Sequence, residues 1–350
     1  MDRGSLFVNG KKRDIKQAIR NGMGRSTNDE LRLLDNKALA VYFAASEPKC
    51  LPFIPPFLRA EMRVRKPRKA KTLPFGRRRS PVTKILRPPV MRIAHRGASA
   101  LAPENTLTAI EKALEIGVDL VEVDIHLTAD GVPVTIHDRT VDRTTNGSGP
   151  VDTMTLAQVK KLNAGSWFDP SFRNERIPTL EEALDLVHKQ APLLIEAKTE
   201  EAAERAVTVI RSMRAQSWAI IQSFYGPAIR TVNRLDRRIP TAFVMTGSEA
   251  ALRRKTGVVK RVLKIGANAL ALNYRAARPD LVQMFLSRAM GFWVWTVDLE
   301  QDMSDMIEMG VGGIITNHPD RLNRVVESDE SELGNRELEV TGTWGRKVGT

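Results

Sequence analysis

From Met91 onward the chain repeats one pattern eight times: a short apolar run, then in most cases a longer stretch of helical period. The runs are MRIAH, DLVEVDIHL, PLLIEAK, WAIIQSF, PTAFVM, NALALN, FWVWTVD and GGIITN. Behind the first, Leu107, Ile110 and Leu114 fall at helical spacing. Eight strand–helix units in this order predict an α/β fold, a (β/α)8 TIM barrel over residues 91–326, a span close to the ~250 residues usual for it. A doubly wound open sheet is the structural rival, but no Gly-rich nucleotide turn follows the first run.

What flanks the barrel differs in kind. The chain carries 54 Lys and Arg against 41 Asp and Glu, a formal charge of +13. Residues 1–90 hold 22 of those cations and 7 of the acids, so this segment alone is +15 and the rest is −2. Between Arg59 and Arg87 the cations crowd together with scattered prolines, and such a density predicts a disordered basic arm. Composition leaves its role open between an electrostatic hold on anionic lipid or nucleic acid and a solvated segment ahead of Met91. Residues 327–350 read as a polar tail. A single cysteine, Cys50, excludes an internal disulfide framework. The N-terminus has no apolar signal core, and the run Ala38–Ala45 is too short to cross a membrane, so the expectation is a soluble cytoplasmic protein.

Strand period assigns the chemistry to one face. Along DLVEVDIHL, Leu120, Glu122, Asp124 and His126 alternate with Val121, Val123, Ile125 and Leu127. In a barrel the first set points inward, and two neighbouring carboxylates there need a cation between them. In PLLIEAK, Glu196 and Lys198 share a face near the strand's C-terminal end, where barrel enzymes place their reactive groups; a plain Glu–Lys pair is the simpler reading. Three carboxylates with no cysteine nearby favour Mg²⁺ or Ca²⁺ over zinc. The pair Asp130–Gly131 predicts a two-residue hairpin loop, which would set His137 opposite Asp124 and Arg139 opposite Glu122. His95, ending the first strand, and His137 would then serve as general acid and base. Arg96 offers a planar fork of donors for phosphate, or an ion pair with a barrel carboxylate.

The ordered set HRG, PENT, EVD, DGVPVTIHD, IEAK, SF, WTVD and GGIIT resembles the glycerophosphodiester phosphodiesterase family over about Met91 to Arg324. The resemblance implies a barrel of the phospholipase-C-like phosphodiesterase type. In it Glu122, Asp124 and Glu196 bind a divalent metal, His95 and His137 are the acid–base pair, and Arg96 and Lys198 hold the phosphate. Trp295 is expected to line the pocket, Trp293 to pack deeper, and His126 to play a supporting or structural part, with a substrate contact as the alternative. The implied reaction cleaves a small glycerophosphodiester to glycerol 3-phosphate and an alcohol. Attack by the glycerol 2-hydroxyl or by water both remain open. The chain departs from the family pattern at Asp298, where an amide is usual, and at Gly312 and Asn317, where aspartates are usual. The span 144–178 should form a small insertion that shapes the entrance. Two alternatives stand beside this one: the same chemistry on lysophospholipids or phospholipids at an anionic membrane surface, and a non-catalytic protein whose basic arm binds nucleic acid. The presence of every expected site residue argues against the second.

Overall fold

A computed structural model describes residues 89–329 apart from 189 and 248–254. The basic segment 1–88 and residues 330–350 lie outside the described residues. All eight apolar runs form parallel strands: β1 (Met91–Ala94), β2 (Leu120–Leu127), β4 (Leu193–Ala197), β5 (Ala219–Ser223), β6 (Thr241–Met245), β7 (Ala269–Asn273), β8 (Gly291–Trp295) and β9 (Gly313–Thr316). Each pairs with its neighbour, and β1 joins both β9 and β2, which closes the barrel. A short antiparallel strand, β3 (Pro133–Thr135), takes the edge of β2 above the point where β1 ends.

The helices wrap this cylinder. They are α1 (Leu107–Ile116), a single turn α2 (Leu156–Val159), α3 (Leu180–Val187), α4 (Glu200–Ser212), α5 (Gly226–Leu235), α6 (Lys255–Ile265), α7 (Pro279–Leu286) and α8 (Glu300–Met309). A further helix over 319–329 runs past the expected start of the polar tail. Local chemistry sets the ends: the Thr106 hydroxyl accepts from Ala109 N at the start of α1, and Thr179 and Glu182 form a reciprocal capping box on α3.

Alternation sends every second strand residue inward. Ile93, Leu120, Leu194, Ile220, Ala242, Val244, Ala269, Ala271 and Ile315 fill the lower barrel around Trp293. The alanines on β6 and β7 leave the volume that the indole occupies. Gly313 completes the fit, because a Cβ there would lie 2.8 Å from Trp293 Cδ1. The opposite faces of the strands pack beneath the helices. Apolar side chains thus close the floor, and polar inward positions occur only near the C-terminal strand ends.

The β2–β3 hairpin corrects the expected register. Its loop has three residues, Ala129, Asp130 and Gly131, not two. Gly131 N donates to Thr128 O (2.9 Å) and Thr128 N to Val132 O (3.0 Å), with Gly131 left-handed at φ 76°. The extra residue shifts the pairing by one, to Ile125–Thr135, His126–Val134 and Leu127–Pro133. Asp124 therefore faces Ile136, whose N–H donates to the Asp124 carbonyl at 3.0 Å. Arg139 turns away from Glu122 to an exposed pairing with Asp152 (3.2 Å). The span 144–178 does fold as an insertion, whose Val151, Val159, Ala164 and Ile177 pack with Val134, Ile136 and Val141 into a small separate core.

Candidate active site

The site forms at the C-terminal mouth from residues of adjacent strands and the turns just beyond them. Glu122 and Asp124 on β2 and Glu196 on β4 are all buried, and one oxygen from each lies within 4.8 Å of the other two. Burial raises the Glu122 pKa well above the carboxylate range, and Asp124 and Glu196 push it further. Burial works the same way on Asp124, but Lys198 and Arg96 outweigh it and hold this carboxyl below its ordinary value. Glu196 is raised by burial and by Asp124, against the pull of Lys198. Three buried oxygen donors converging without sulfur or imidazole suit a hard divalent cation, so the residues present fit the metal that the sequence implies.

Two cations border the carboxylates. Lys198 Nζ lies 2.6 Å from Asp124 Oδ1 and also bonds Glu196. Arg96 Nε lies 3.2 Å from Asp124 Oδ2, and its Nη1 donates to Glu104 at 2.8 Å. The plain ion-pair readings of Arg96 and Lys198 are therefore realised in this geometry, at the same mouth as the histidines. Burial disfavours charge on both, yet the surrounding acids raise both pKa values. Arg96 holds φ 57°, and its backbone N–H donates to Glu122 Oε2 at 2.8 Å, so one residue serves the carboxylates through both backbone and side chain.

His95 directly follows β1, its N–H bonded to Thr316 O (2.9 Å). Its Nδ1 lies 2.7 Å from Asn317 Oδ1. Burial and then Arg96 lower its pKa to about 4, against the opposing influence of Asp124 and Asn317. His137 does not oppose Asp124 in the ladder. It reaches the mouth because the chain leaves β3 after Thr135, and it shares a cavity wall with Glu104 and Asn105. Asp138 Oδ1 lies 2.7 Å from its Nδ1, and His126 Nε2 donates to its backbone carbonyl at 3.1 Å. His126 thus meets the His137 backbone through its side chain. Trp295 is half-buried, donates Nε1 to Ala271 O (3.2 Å), and meets Phe224 edge-on at 5.5 Å between ring centres; Trp293 is buried below it.

Several contributors escaped the sequence reading. Asn105 clasps Asp124 twice, Nδ2 donating to Oδ2 and Oδ1 accepting from the backbone N–H, each at 3.0 Å. Glu104 receives Arg96 and both terminal nitrogens of Arg143 (2.8 Å each), while Arg143 also bonds Asp138. Gln222 on β5 donates to Glu122 Oε1 at 3.3 Å. The signal for the first two was the PENT motif, which also reads as an ordinary helix start because Thr106 caps α1. The departures at 298 and 317 meet each other: Asn317 Nδ2 donates to Asp298 Oδ2 at 2.7 Å. Gly312 lies at the other end of β9, away from the mouth.

A closed parallel barrel carrying clustered carboxylates, two histidines and two cations at one mouth suits a hydrolase of anionic esters, with a carboxylate cluster that could hold a divalent cation. Residues 95–321 match the family model described as the glycerophosphoryl diester phosphodiesterase family. A glycerophosphodiester phosphodiesterase of Caldanaerobacter subterraneus is 37% identical over 243 residues, 67% of this chain and 96% of that protein. One from Bacillus subtilis is 33% identical over 254 residues, covering 67% and 86%. Among solved structures, an Oleispira antarctica phosphodiesterase in complex with the product sn-glycerol-3-phosphate superposes with a TM-score of 0.61 at 27% identity, over 67% of this chain and 96% of that one. The chain belongs to the glycerophosphoryl diester phosphodiesterase family, and it is an enzyme of that class.

Proposed function

We propose that the enzyme hydrolyses small glycerophosphodiesters to glycerol 3-phosphate and an alcohol, with Mg²⁺ or Ca²⁺ held by Glu122, Asp124 and Glu196. The carrying observation is the buried carboxylate cluster, whose oxygens lie within 4.8 Å of one another and are bordered by Lys198 and Arg96. The cation, when bound, supplies Lewis-acid polarisation of the phosphoryl oxygens. Arg96 and Lys198 orient the phosphate and offset the charge that develops on it. His95, neutral at pH 7 by its lowered pKa, takes at Nε2 the proton of the attacking water, or of the glycerol 2-hydroxyl, whose cyclic phosphate water then opens. His137, its Nδ1–H directed at Asp138, delivers a proton to the departing alkoxide oxygen. Trp295 and Phe224 form an apolar wall for the glycerol or the alcohol.

The test is release of glycerol 3-phosphate from glycerophosphocholine and glycerophosphoethanolamine with Mg²⁺, Ca²⁺ or EDTA, alongside His137→Ala. Release abolished by EDTA and by the substitution is expected; no release with any metal overturns the reading. Apolar side chains on loops at the mouth favour a second substrate class, lysophospholipids: Leu101, Phe224, Tyr225 and Leu299 are 40%, 43%, 51% and 63% exposed. Turnover on lysolipid vesicles that exceeds turnover on soluble diesters would select it. Among the described residues no helix is long and apolar enough to cross a membrane, and a cytoplasmic location, with the basic segment meeting anionic membranes, is part of the proposal.

A further inference from the structure

His95 is reached from outside the carboxylate cluster by a chain of side chains that the reaction scheme does not use. Asp298 follows β8, Asn317 follows β9, and His95 follows β1, so three neighbouring strands deliver them side by side. Asp298 accepts three hydrogen bonds: from the Thr316 hydroxyl (3.1 Å) and Asn317 N–H (2.9 Å) at Oδ1, and from Asn317 Nδ2 (2.7 Å) at Oδ2. A carboxylate donates nothing, so the nitrogen of the Asn317 amide must face Asp298 and its oxygen must face the other way. That oxygen receives the Ser99 hydroxyl at 2.9 Å and lies 2.7 Å from His95 Nδ1. An amide oxygen carries no hydrogen, so the proton of neutral His95 sits on Nδ1 and the lone pair on Nε2.

We propose that Asp298 and Asn317 are positioning residues that act as one unit, Asp298 fixing the Asn317 amide and Asn317 fixing the Nδ1–H tautomer of His95. The inference rests on the reading of His95 as an acid–base residue. It makes a demand that a merely structural pair would not make, because each single change has a defined electrical fault. In Asp298→Asn the new oxygen is claimed by Thr316 and the backbone, so its nitrogen faces Asn317. That amide must turn, its nitrogen then faces His95, and the ring hydrogen moves to Nε2. In Asn317→Asp two carboxylates meet across a 2.7 Å bond. Combining the two changes reverses donor and acceptor in that one bond and again gives His95 Nδ1 an acceptor.

The experiment compares wild type, D298N, N317D and D298N/N317D with glycerophosphocholine and saturating Mg²⁺. It is paired with ¹⁵N NMR of histidine-labelled protein, which has only five histidines to assign. Each single substitution should lower kcat about 10–100-fold with KM near wild type, as supporting partners of site ligands do. D298N should move the His95 hydrogen to Nε2, and the double variant should recover most of kcat and return the hydrogen to Nδ1. Should a charged single variant fail to fold, Asn317→Ala removes the acceptor without adding charge, and it should show the kcat loss alone. Wild-type kcat and tautomer in D298N, or a double variant slower than either single one, overturns the pairing. Full turnover in His95→Ala would sink the acid–base reading, while the tautomer pattern would still decide the pairing.

Discussion

Removing the Lys198 charge should unfold the enzyme more readily in EDTA than in Mg²⁺. The ammonium bonds both Asp124 and Glu196, whose side chains are buried. Lys198→Met keeps an unbranched chain of similar length but leaves two buried carboxylates with less compensation, a change that costs about 3–5 kcal/mol. In a domain of this size each kcal/mol moves Tm by about 2–4 °C, so a fall of about 6–20 °C is expected in EDTA. A cation at 100 times its wild-type Kd returns about 2.7 kcal/mol to the wild-type protein. In the variant it binds without the neighbouring ammonium to repel it, so the gain is larger and the gap in Tm narrows by several degrees. Thermal unfolding followed by circular dichroism, with EDTA and with a Mg²⁺ titration, measures both gaps. A gap in Mg²⁺ as wide as that in EDTA would refute the claim that lysine and metal compensate the same carboxylates.

Glu122→Gln imitates the protonated carboxyl that burial and its acidic neighbours favour, so Tm in EDTA should hold or rise while Mg²⁺ affinity and turnover fall at least about 100-fold; an unchanged metal response would remove Glu122 from the ligand set. Gly97→Ala should cost about 2–5 kcal/mol and lower Tm by at least about 5 °C, because Gly97 sits at φ 78° and a Cβ would come within 2.5 Å of the Ala109 carbonyl carbon. The lowered pKa of His95 makes the unfolded chain bind a proton that the folded chain refuses between pH 6.5 and about 4. Its contribution is therefore present above pH 6.5 and is lost as pH falls, by about 2 kcal/mol from pH 7 to pH 5. Urea unfolding in EDTA should show that slope reduced in His95→Asn; identical slopes would contradict a neutral His95 ring in the folded protein.

The strands were legible because their period and apolar content are local properties, and each of the eight runs from MRIAH to GGIITN became a barrel strand. The inward direction of Glu122, Asp124, Glu196 and Lys198 followed from the same alternation. Turn chemistry was less decisive. Asp130–Gly131 was compatible with a two-residue loop, but Gly131 took the left-handed position of a three-residue loop and moved the ladder by one. His137 still arrived at the mouth, by leaving the strand and not by facing Asp124. Glu104, Asn105, Gln222 and Arg143 stayed hidden because their partners lie 5 to 100 residues away along the chain, without a period that a strand or helix pattern reports. Asp298 and Asn317 looked like two independent departures; only the fold makes them one hydrogen-bonded pair.

The charges at the mouth explain why these groups suit a phosphodiester. Glu122, Asp124 and Glu196 would carry three negative charges against the two positive charges of Arg96 and Lys198. Burial and the neighbouring acids favour the proton on Glu122, which reduces that excess among these five groups. A divalent cation held there, as proposed, would compete with that proton, so its binding would weaken as pH falls, and these five groups with the cation would carry one net positive charge. A phosphodiester brings one negative charge and restores neutrality. The phosphomonoester produced carries about −1.5 to −2 at pH 7 and overshoots it. On the proposed reaction, then, the site matches the charge of the substrate better than that of glycerol 3-phosphate, and the bond cleavage itself creates the repulsion that favours product release.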